Sequence, residues 1–523
     1  MASSFTEQEI KFRLPEGGDP ARVIATIEAA GFRLEPQADV THEDRYLDTE
    51  DWTLFRAGIA LRVRANGQSV RLEAKTLRSR SEEAMVRTEW TQDAPAAAAE
   101  ELSWTFEALG AGPVTALLFP VRGLGIPERL RVVARIRAER ECFRWLRGDD
   151  LLGLLTVDHV ALPARNGDAD VARRFDEVEI ELSNGHRDAL GDVRRAVEGA
   201  QGLRANADSK LASALAAAGL KAPKLSERGY TVAVGDRLLD VAWKTLARHF
   251  GRMTWNEPGT RLGVDPEYLH DMRVASRRLR MALQVFAGAI PEEAQIRFAE
   301  DLRFVGRALG RVRDLDVGLE RVAAMEAEAT AEERAALSIF ANGLSIRRAK
   351  QRVALIEALD SERYAGLVEA ARAWIAAGPP AAALVPAGGA PAYQVGPRLV
   401  LEAEQALDEA YEVAERSMEP SALHAVRLAA KRFRYTLEFL APVLGAGAAA
   451  EAKRIVTLQD FLGAHQDAVT LLERLRKYSR TIPRRDKALT LGAGSALGAL
   501  ERAARVKRGA LREAWGAAFV ARD

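Results

Sequence analysis

The spacing of apolar residues changes once along this chain, and that change decides how many folds it must contain. Up to about residue 182, short runs alternate apolar and polar positions, as in Ile59-Ala60-Leu61-Arg62-Val63-Arg64 and Phe175-Asp176-Glu177-Val178-Glu179-Ile180-Glu181. Period two separates the two faces of a strand. From about Gly235 onward, apolar residues recur every three or four positions in long Ala-, Leu- and Arg-rich segments, which is the period of a helix. Strands first and helices afterwards read as separate domains, and 523 residues are too many for one ordinary core. The expected architecture is α+β over residues 1–220, a mainly antiparallel sheet with helices near 19–30 and 95–109. A linker follows at 221–234 around Pro223, then an all-α domain at 235–523, which an Ala-, Pro- and Gly-rich stretch at 377–396 divides into parts of about 235–376 and 397–523.

Composition narrows the function classes. No run of about twenty apolar residues exists to span a bilayer, and the first twelve residues lack the basic start and apolar stretch of a secretory leader, so no membrane partner and a cytoplasmic protein are expected. Cys142 is the only cysteine, which excludes an internal disulfide, a cysteine-based zinc site and a redox pair. A formal charge of +1 argues against coating nucleic acid through bulk charge, so any anion binding must come from local clusters. His42, His159, His186 and His249 stand alone and are expected to be structural or exposed.

The helical part carries an internal repeat. His270-Asp271-Met272-Arg273-Val274-Ala275-Ser276-Arg277-Arg278-Leu279-Arg280 matches His424-Ala425-Val426-Arg427-Leu428-Ala429-Ala430-Lys431-Arg432-Phe433-Arg434 at the histidine and every basic position, at an offset of 154. Downstream, Leu309-Gly310, Asp314 and Glu320-Arg321 match Leu462-Gly463, Asp467 and Glu473-Arg474 at 153. Duplicated helical halves are therefore expected. His270, Arg273, Arg277 and Arg280 fall on one helical stripe, as do His424, Arg427, Lys431 and Arg434, with an apolar stripe such as Met272, Ala275 and Leu279 on the other side. So many cations with one acid, Asp271, repel one another, and a polyanion relieves the repulsion. Single-strand binders interleave aromatics for base stacking, and only Phe433 and Tyr435 lie here, so a phosphate polymer without bases fits better than nucleic acid.

In the first part, charges recur at period two. Glu7, Glu9 and Lys11 share a strand face, as do Arg62 and Arg64, Arg135 and Arg137, and Glu177, Glu179 and Glu181; Lys75 and Asp158 add to the set. Such a sheet face meets water or closes on a charged ligand, with carboxylates suited to Mg²⁺ or Mn²⁺ and Arg or Lys suited to phosphate oxygens. No G-x-x-x-x-G-K-[ST], H-E-x-x-H or G-x-S-x-G motif is present.

The paired His-x-x-Arg segments resemble the CHAD family, the conserved-histidine α-helical domain, over roughly residues 230–520. That resemblance implies two duplicated four-helix bundles around a basic surface that binds polyphosphate, often at polyphosphate granules. Its implied contacts are His270, Arg273, Arg277, Arg280, His424, Arg427, Lys431 and Arg434, with Arg278 and Arg432 as further candidates. Glu7-x-Glu9-x-Lys11, Tyr46-Leu47-Asp48-Thr49, Leu61-Arg62-Val63-Arg64, Lys75-Thr76, Arg87-Thr88-Glu89, Glu177-x-Glu179-x-Glu181 and Ser209-Lys210 together resemble the CYTH family of triphosphate tunnel metalloenzymes, over about residues 5–215. It implies an antiparallel eight-stranded tunnel that binds a triphosphate with a divalent metal.

By that resemblance Glu7, Glu9, Asp158, Glu177, Glu179 and Glu181 are metal or metal-water ligands. Lys11, Arg62, Arg64, Lys75, Arg135 and Lys210 contact phosphate, with Arg137 as the alternative for the role given to Arg135, and Glu7, Glu9, Lys11, Arg62, Arg64 and Lys75 form the catalytic set. The expected activity is metal-dependent hydrolysis of inorganic tripolyphosphate to pyrophosphate and phosphate. The alternatives are a nucleoside or thiamine triphosphatase, an adenylate cyclase, or a non-catalytic polyphosphate-binding protein.

Overall fold

Two compact units divide the chain, Met1–Lys224 with Glu257–Asp265, and Leu225–Asn256 with Pro266–Asp523. The structure is a computed structural model that describes residues 4–67, 69–77, 85–101, 103–124, 129–162, 173–183, 187–201, 203–206, 208–221, 223–225, 229–379, 386–483 and 485–519. His186 lies outside them.

The strands of the first unit are β1 (Ser4–Arg13), β2 (Arg33–Pro36), β3 (Val40–Asp48), β4 (Ile59–Ala65), β5 (Val70–Thr76), β6 (Met85–Asp93), β7 (Ser103–Trp104), β8 (Leu130–Arg147), β9 (Asp150–Leu162) and β10 (Arg173–Leu182). Eight of them run in the order β8-β3-β4-β5-β6-β1-β10-β9, and β9 pairs back to β8, so the sheet closes into an antiparallel eight-stranded barrel. Closure removes the free edges that an open sheet would expose.

The period-two pattern is used inside out. Ile10, Phe12, Val178 and Ile180 point outward and are buried beneath α1 (Pro20–Ala29) and α4 (Arg187–Gln201). Leu61, Val63, Leu72 and Trp90 are covered by α2 (Thr53–Arg56), α3 (Pro113–Leu118) and neighbouring turns. Each such side chain contributes about 1.5–3 kcal/mol by leaving water. With both apolar layers outside, the charged alternates are left to line the lumen. The helix α5 (Lys210–Ala217), capped by Ser209, seats Leu211, Ala214 and Leu215 against Ile136, Ala138 and Tyr46 and fills part of the barrel interior.

One expected helix is absent. Residues 95–109 form 3-10 turns at Ala96–Ala99 and Glu107–Leu109 around the short β7, because the buried Trp104 pairs with Leu130 of β8 and draws the chain into extended form.

The second unit is helical. It contains α6 (Leu238–Leu262, its last residues grouping with the first unit), α7 (Pro266–Val285), α8 (Glu292–Glu328), α9 (Ala331–Leu359) and α10 (Glu362–Ala377). After the short α11 (Pro386–Gly389) come α12 (Ala392–Ser417), α13 (Pro420–Leu444), α14 (Ala446–Ser479), α15 (Lys487–Gly509) and α16 (Leu511–Phe519). The repeat is visible in packing. One core joins α6, α7, α8 and α10 through Leu246, Met272, Leu302 and Leu367, and its counterpart joins α12, α13, α14 and α16 through Leu407, Val426, Ile455 and Leu511. A third core ties the distal halves of α8 and α9 to those of α14 and α15 through Val322, Phe340, Leu475 and Leu500. Buried positions in α8 and α14 correspond at an offset of 153: Leu302 with Ile455, Val305 with Leu458, Leu309 with Leu462.

Candidate functional site

Barrel register sets cations directly opposite carboxylates on neighbouring strands. Lys11 faces Glu179, Glu7 faces Arg87, Lys75 faces Glu89, Arg62 faces Glu73, Arg64 faces Asp44 and Arg140 faces Asp158. Cross-strand neighbours lie about 4.5–5.5 Å apart at Cβ, within reach of long charged side chains. The result is a lumen of about 230 Å³ walled by both signs of charge.

Contacts follow the register. Lys11 Nζ lies 2.6 Å from Glu179 Oε1, and Lys210 Nζ lies 2.5 Å from Asp158 Oδ2 and 3.2 Å from Glu179. Arg140 pairs with Asp158 at 2.7 Å and Glu179 at 3.0 Å. Arg62 binds Glu73 at 2.7 Å and Asp44 at 3.2 Å, while Arg64 reaches Asp44 at 2.7 Å. Lys75 contacts Glu7 and, at 3.3 Å, Glu9, which also receives Arg87 at 3.3 Å. Buried pairs recover their desolvation cost only when such hydrogen bonds are complete. Burial works against ionisation of Glu179, yet Lys11, Lys210 and Arg140 hold its carboxyl well below the usual range; burial likewise opposes Asp44, which Arg62 and Arg64 hold down. His42 is pushed down to about 3 by burial and Arg64, whose Nη2 lies 3.2 Å from His42 Nε2, so the ring is neutral.

Glu7, Glu9 and Glu181 form a different group. Each offers a carboxylate oxygen within 4.8 Å of the others, a spacing that suits one divalent cation. Burial, the charge of Glu7 and a hydrogen bond to Glu7 drive Glu181 well above the usual carboxylate range. Burial acts against Glu7 as well, but Lys75 and the bond to Glu181 keep it low. The buried Glu7 and the half-buried Glu181, joined by a hydrogen bond, form with Glu9 a donor set that a metal ion can take over.

Of the expected metal ligands, these three converge. Asp158 and Glu179 are occupied by Lys210, Arg140 and Lys11, and Glu177 is buried away from the trio, where it accepts from Ser213 Oγ at 3.0 Å. Lys11, Arg62, Arg64, Lys75 and Lys210 line the lumen. Arg135 and Arg137 do not: they pair with Arg45 and Glu43 on the outer face, and the Arg137 side chain is 67 % exposed. The inward set on β8 is Ile136, Ala138 and Arg140, so Arg140 is the lumen cation of that strand. Asp44, Glu73, Arg87, Glu89 and Arg140 were not anticipated as site residues. Period two carried the signal: Glu73 alternates with Lys75, Arg87 with Glu89, and Asp44 with Tyr46.

In the helical unit, α7 and α13 bring Arg273, Arg277, Arg427 and Lys431 together. Burial, then Arg427, Arg277 and Arg273, push Lys431 down to about 7. Arg277 Nε donates to Tyr435 Oη at 3.0 Å, a bond that crosses from one repeat to the other. Two carboxylates approach: Asp314 lies 3.4 Å from Arg273, and Asp467 lies 3.2 Å from Arg321. Other expected contacts diverge from this group. Arg434 is bound by Glu438 at 2.6 Å and Gln459 at 2.8 Å, Arg278 pairs with Glu438 at 2.7 Å, His424 and Arg432 are exposed, and His270 is half-buried, its pKa lowered by burial and Arg313.

A closed barrel with a mixed-charge lumen and a duplicated helical unit define a two-domain architecture. The family model of the CYTH domain matches residues 6–215 and that of the CHAD domain residues 244–476; the chain is a CYTH domain followed by a CHAD domain. The CYTH superfamily includes triphosphatases and cyclases, and its tunnel binds triphosphates with divalent metals. Similar solved structures include the CHAD domain of the plant Ricinus communis, 25% identical, covering 56% of this chain and 96% of that one, with a TM-score of 0.45. PptA from Streptomyces chartreusis is 18% identical over 54% of this chain and 99% of that one, with a TM-score of 0.45. HpAC1 from Hippeastrum, a candidate adenylyl cyclase with a dominant triphosphatase activity, is 17% identical over 42% of this chain and 98% of that one, with a TM-score of 0.26. No curated protein matches the chain. Among the described residues, no helix is long and apolar enough to cross a membrane.

Proposed function

We propose that the tunnel hydrolyses inorganic tripolyphosphate to pyrophosphate and phosphate with Mg²⁺ or Mn²⁺, while the helical domain binds inorganic polyphosphate and associates the protein with cytoplasmic polyphosphate granules. The observation that carries this reading is the lining of the lumen. Seven cations face it, whereas among the described residues its aromatic lining is the half-exposed Phe5 and Tyr46, whose hydroxyl lies 3.5 Å from Arg62. A bare phosphate chain needs charge and donors alone; a base calls for a stacking surface.

Glu7, Glu9 and Glu181 fit a divalent ion, and such an ion, when bound, supplies Lewis acidity and neutralises phosphate charge. The chain's own residues do the rest. Lys11, Arg62, Arg64, Lys75, Arg87, Arg140 and Lys210 meet the non-bridging oxygens. Asp158 and Glu179 hold Lys210, Arg140 and Lys11 inward, so little reorganisation accompanies the charge that spreads during transfer. Water attacks the terminal phosphorus in line, the bond to the bridging oxygen breaks, pyrophosphate leaves, and the proton of the water passes to a lumen carboxylate.

The test is phosphate release from tripolyphosphate, ATP and thiamine triphosphate by the wild type and by Glu7→Ala/Glu9→Ala, with Mg²⁺ or Mn²⁺. The expected result is fastest release from tripolyphosphate, lowered by about 100-fold or more in the variant. Faster release from ATP or thiamine triphosphate reassigns the substrate; no turnover, with polyphosphate still bound, favours a scaffold.

A further inference from the structure

The two helical repeats match in fold but not in the charge of their corresponding grooves. In the first, α8 presents Gly306 and Gly310 one turn apart toward α7. A Cβ at Gly306 would stand 3.5 Å from Arg280 Nη1, and one at Gly310 would stand 3.6 Å from Arg273 Nε, ordinary contact distances, so both arginines lie against α8 along a shallow notch at these glycines. Arg303 and Arg307 flank this notch and are exposed. Burial, then Arg303 and Arg307, lower the pKa of Arg280, with no acid among the causes.

In the second repeat the corresponding positions are Gln459 for Gly306, Val456 for Arg303 and Asp460 for Arg307, by the same offset that aligns the buried residues of α8 and α14. Arg434, the counterpart of Arg280, is taken by Glu438 and Gln459. The first groove thus gathers Arg273, Arg277, Arg280, Arg303 and Arg307, with Asp314 3.4 Å from Arg273. The second holds Arg427, Lys431 and Arg434 against Glu438, Asp460 and Asp467.

We propose that the polyanion track of the helical domain is one-sided: it starts at the cross-repeat quartet Arg273, Arg277, Arg427 and Lys431, runs along α7 and α8 past Arg280 to Arg303 and Arg307, and has no counterpart in the second repeat. The proposal rests on the polyphosphate reading and adds Arg303 and Arg307 to the binding residues. From Arg273 to Arg280 the helix advances about 10 Å, so a long phosphate chain reaches cations beyond the quartet. Arginine forks on a free helical face suit such a chain, since each presents several donors to phosphate oxygens.

The experiment measures binding of long-chain inorganic polyphosphate by the full chain across a salt series. Circular dichroism verifies that each variant is folded. Arg303→Ala/Arg307→Ala is expected to weaken binding about tenfold at low salt and to reduce the log–log salt slope by about two. Val456→Arg/Asp460→Arg, which builds the same track into the second repeat, is expected to strengthen binding and steepen the slope. If neither pair moves affinity or slope while Arg273→Ala/Arg427→Ala weakens binding, the track ends at the quartet and the proposal falls with the polyphosphate reading intact. If the wild type does not bind polyphosphate, that reading falls and the track falls with it.

Discussion

The tunnel and the helical groove both collect cations, but they arrange them under opposite rules. In the lumen, Lys11, Arg62, Arg64, Lys75, Arg140 and Lys210 each lie within 4 Å of a carboxylate, and most of those carboxylates are fully buried. In the groove of the first repeat, the charges that act on Arg280 are those of Arg303 and Arg307. A lumen that holds both signs can take a metal and an anion together, and its cations are fixed in place by their partners. In the groove, neighbouring arginines lower the pKa of Arg280, and a bound anion would relieve that repulsion.

The largest expected effect breaks this comparison through stability. Glu179→Gln leaves Lys11, Lys210 and Arg140 short of a buried counter-charge and should destabilise the tunnel domain by about 3–5 kcal/mol. Arg273→Ala, which removes a partly exposed cation, should stay within about 0.5 kcal/mol or stabilise. Urea titration of both variants decides; a harmless Glu179→Gln would mean that the lumen pairs hold nothing in place. The sign with pH follows. Glu179 and Asp158 have depressed folded-state pKa values, so their contribution is present above the ordinary carboxylate pKa and is lost as pH falls through the folded values. The acid limb of wild-type stability should therefore be steeper than that of Glu179→Gln.

A smaller effect sharpens the groove side. Lys431 stands where the first repeat has Arg277, and three arginines with Asp467 are the charges that act on it. With its pKa near 7, the free protein holds this position partly neutral, and a bound polyanion favours the charged form. Polyphosphate affinity should fall by about threefold to tenfold as pH rises from 6 to 8.5, since one charge is worth roughly that range. Lys431→Arg should flatten the fall. A pH-independent wild type would show that Lys431 lies outside the ligand's reach. Between pH 7 and the ordinary lysine pKa the unfolded chain binds the extra proton, so this group makes stability rise with pH there.

How much of this was legible in the sequence depends on which physical rule placed each residue. Alternation on short strands is unambiguous, so Glu7, Glu9 and Lys11 could be assigned to one face; Glu7 and Lys11 line the lumen, and Glu9 lies buried beside Glu7 and Glu181. It failed on the long strand β8, where Arg135 and Arg137 alternate as regularly as Ile136, Ala138 and Arg140. Only the pairing with β3, which sets Arg135 against Arg45 and Ala138 against His42, decides which set faces in. The repeat was legible from the matched His-x-x-Arg segments, but not its asymmetry. Arg434 matched Arg280 by position, and its capture by Glu438 depends on the i,i+4 acid and on Gln459 from α14. Separating the three metal-suited carboxylates from those that orient cations required distances across the barrel, which no linear spacing contains.

The smallest expected effect uses the outer wall of the strands that line the lumen. His159 projects outward from β9, with Nδ1 2.8 Å from Asp176 and Nε2 3.2 Å from Glu141. Slight burial opposes its charge, but the hydrogen bonds to Asp176 and Glu141 raise its pKa. A raised histidine stabilises the fold fully below its unfolded pKa and loses that contribution as pH rises through the folded value, the reverse of Glu179 on the inner face. Because the ring is mostly solvated, the contribution should be below about 1 kcal/mol. His159→Gln should remove a shallow decline in stability above pH 6.5 and leave tripolyphosphate hydrolysis unchanged, as read by thermal melts and phosphate release. An effect as large as that of Glu179→Gln would mean that water does not screen the outer face, and the contrast between the two faces of the barrel would fail.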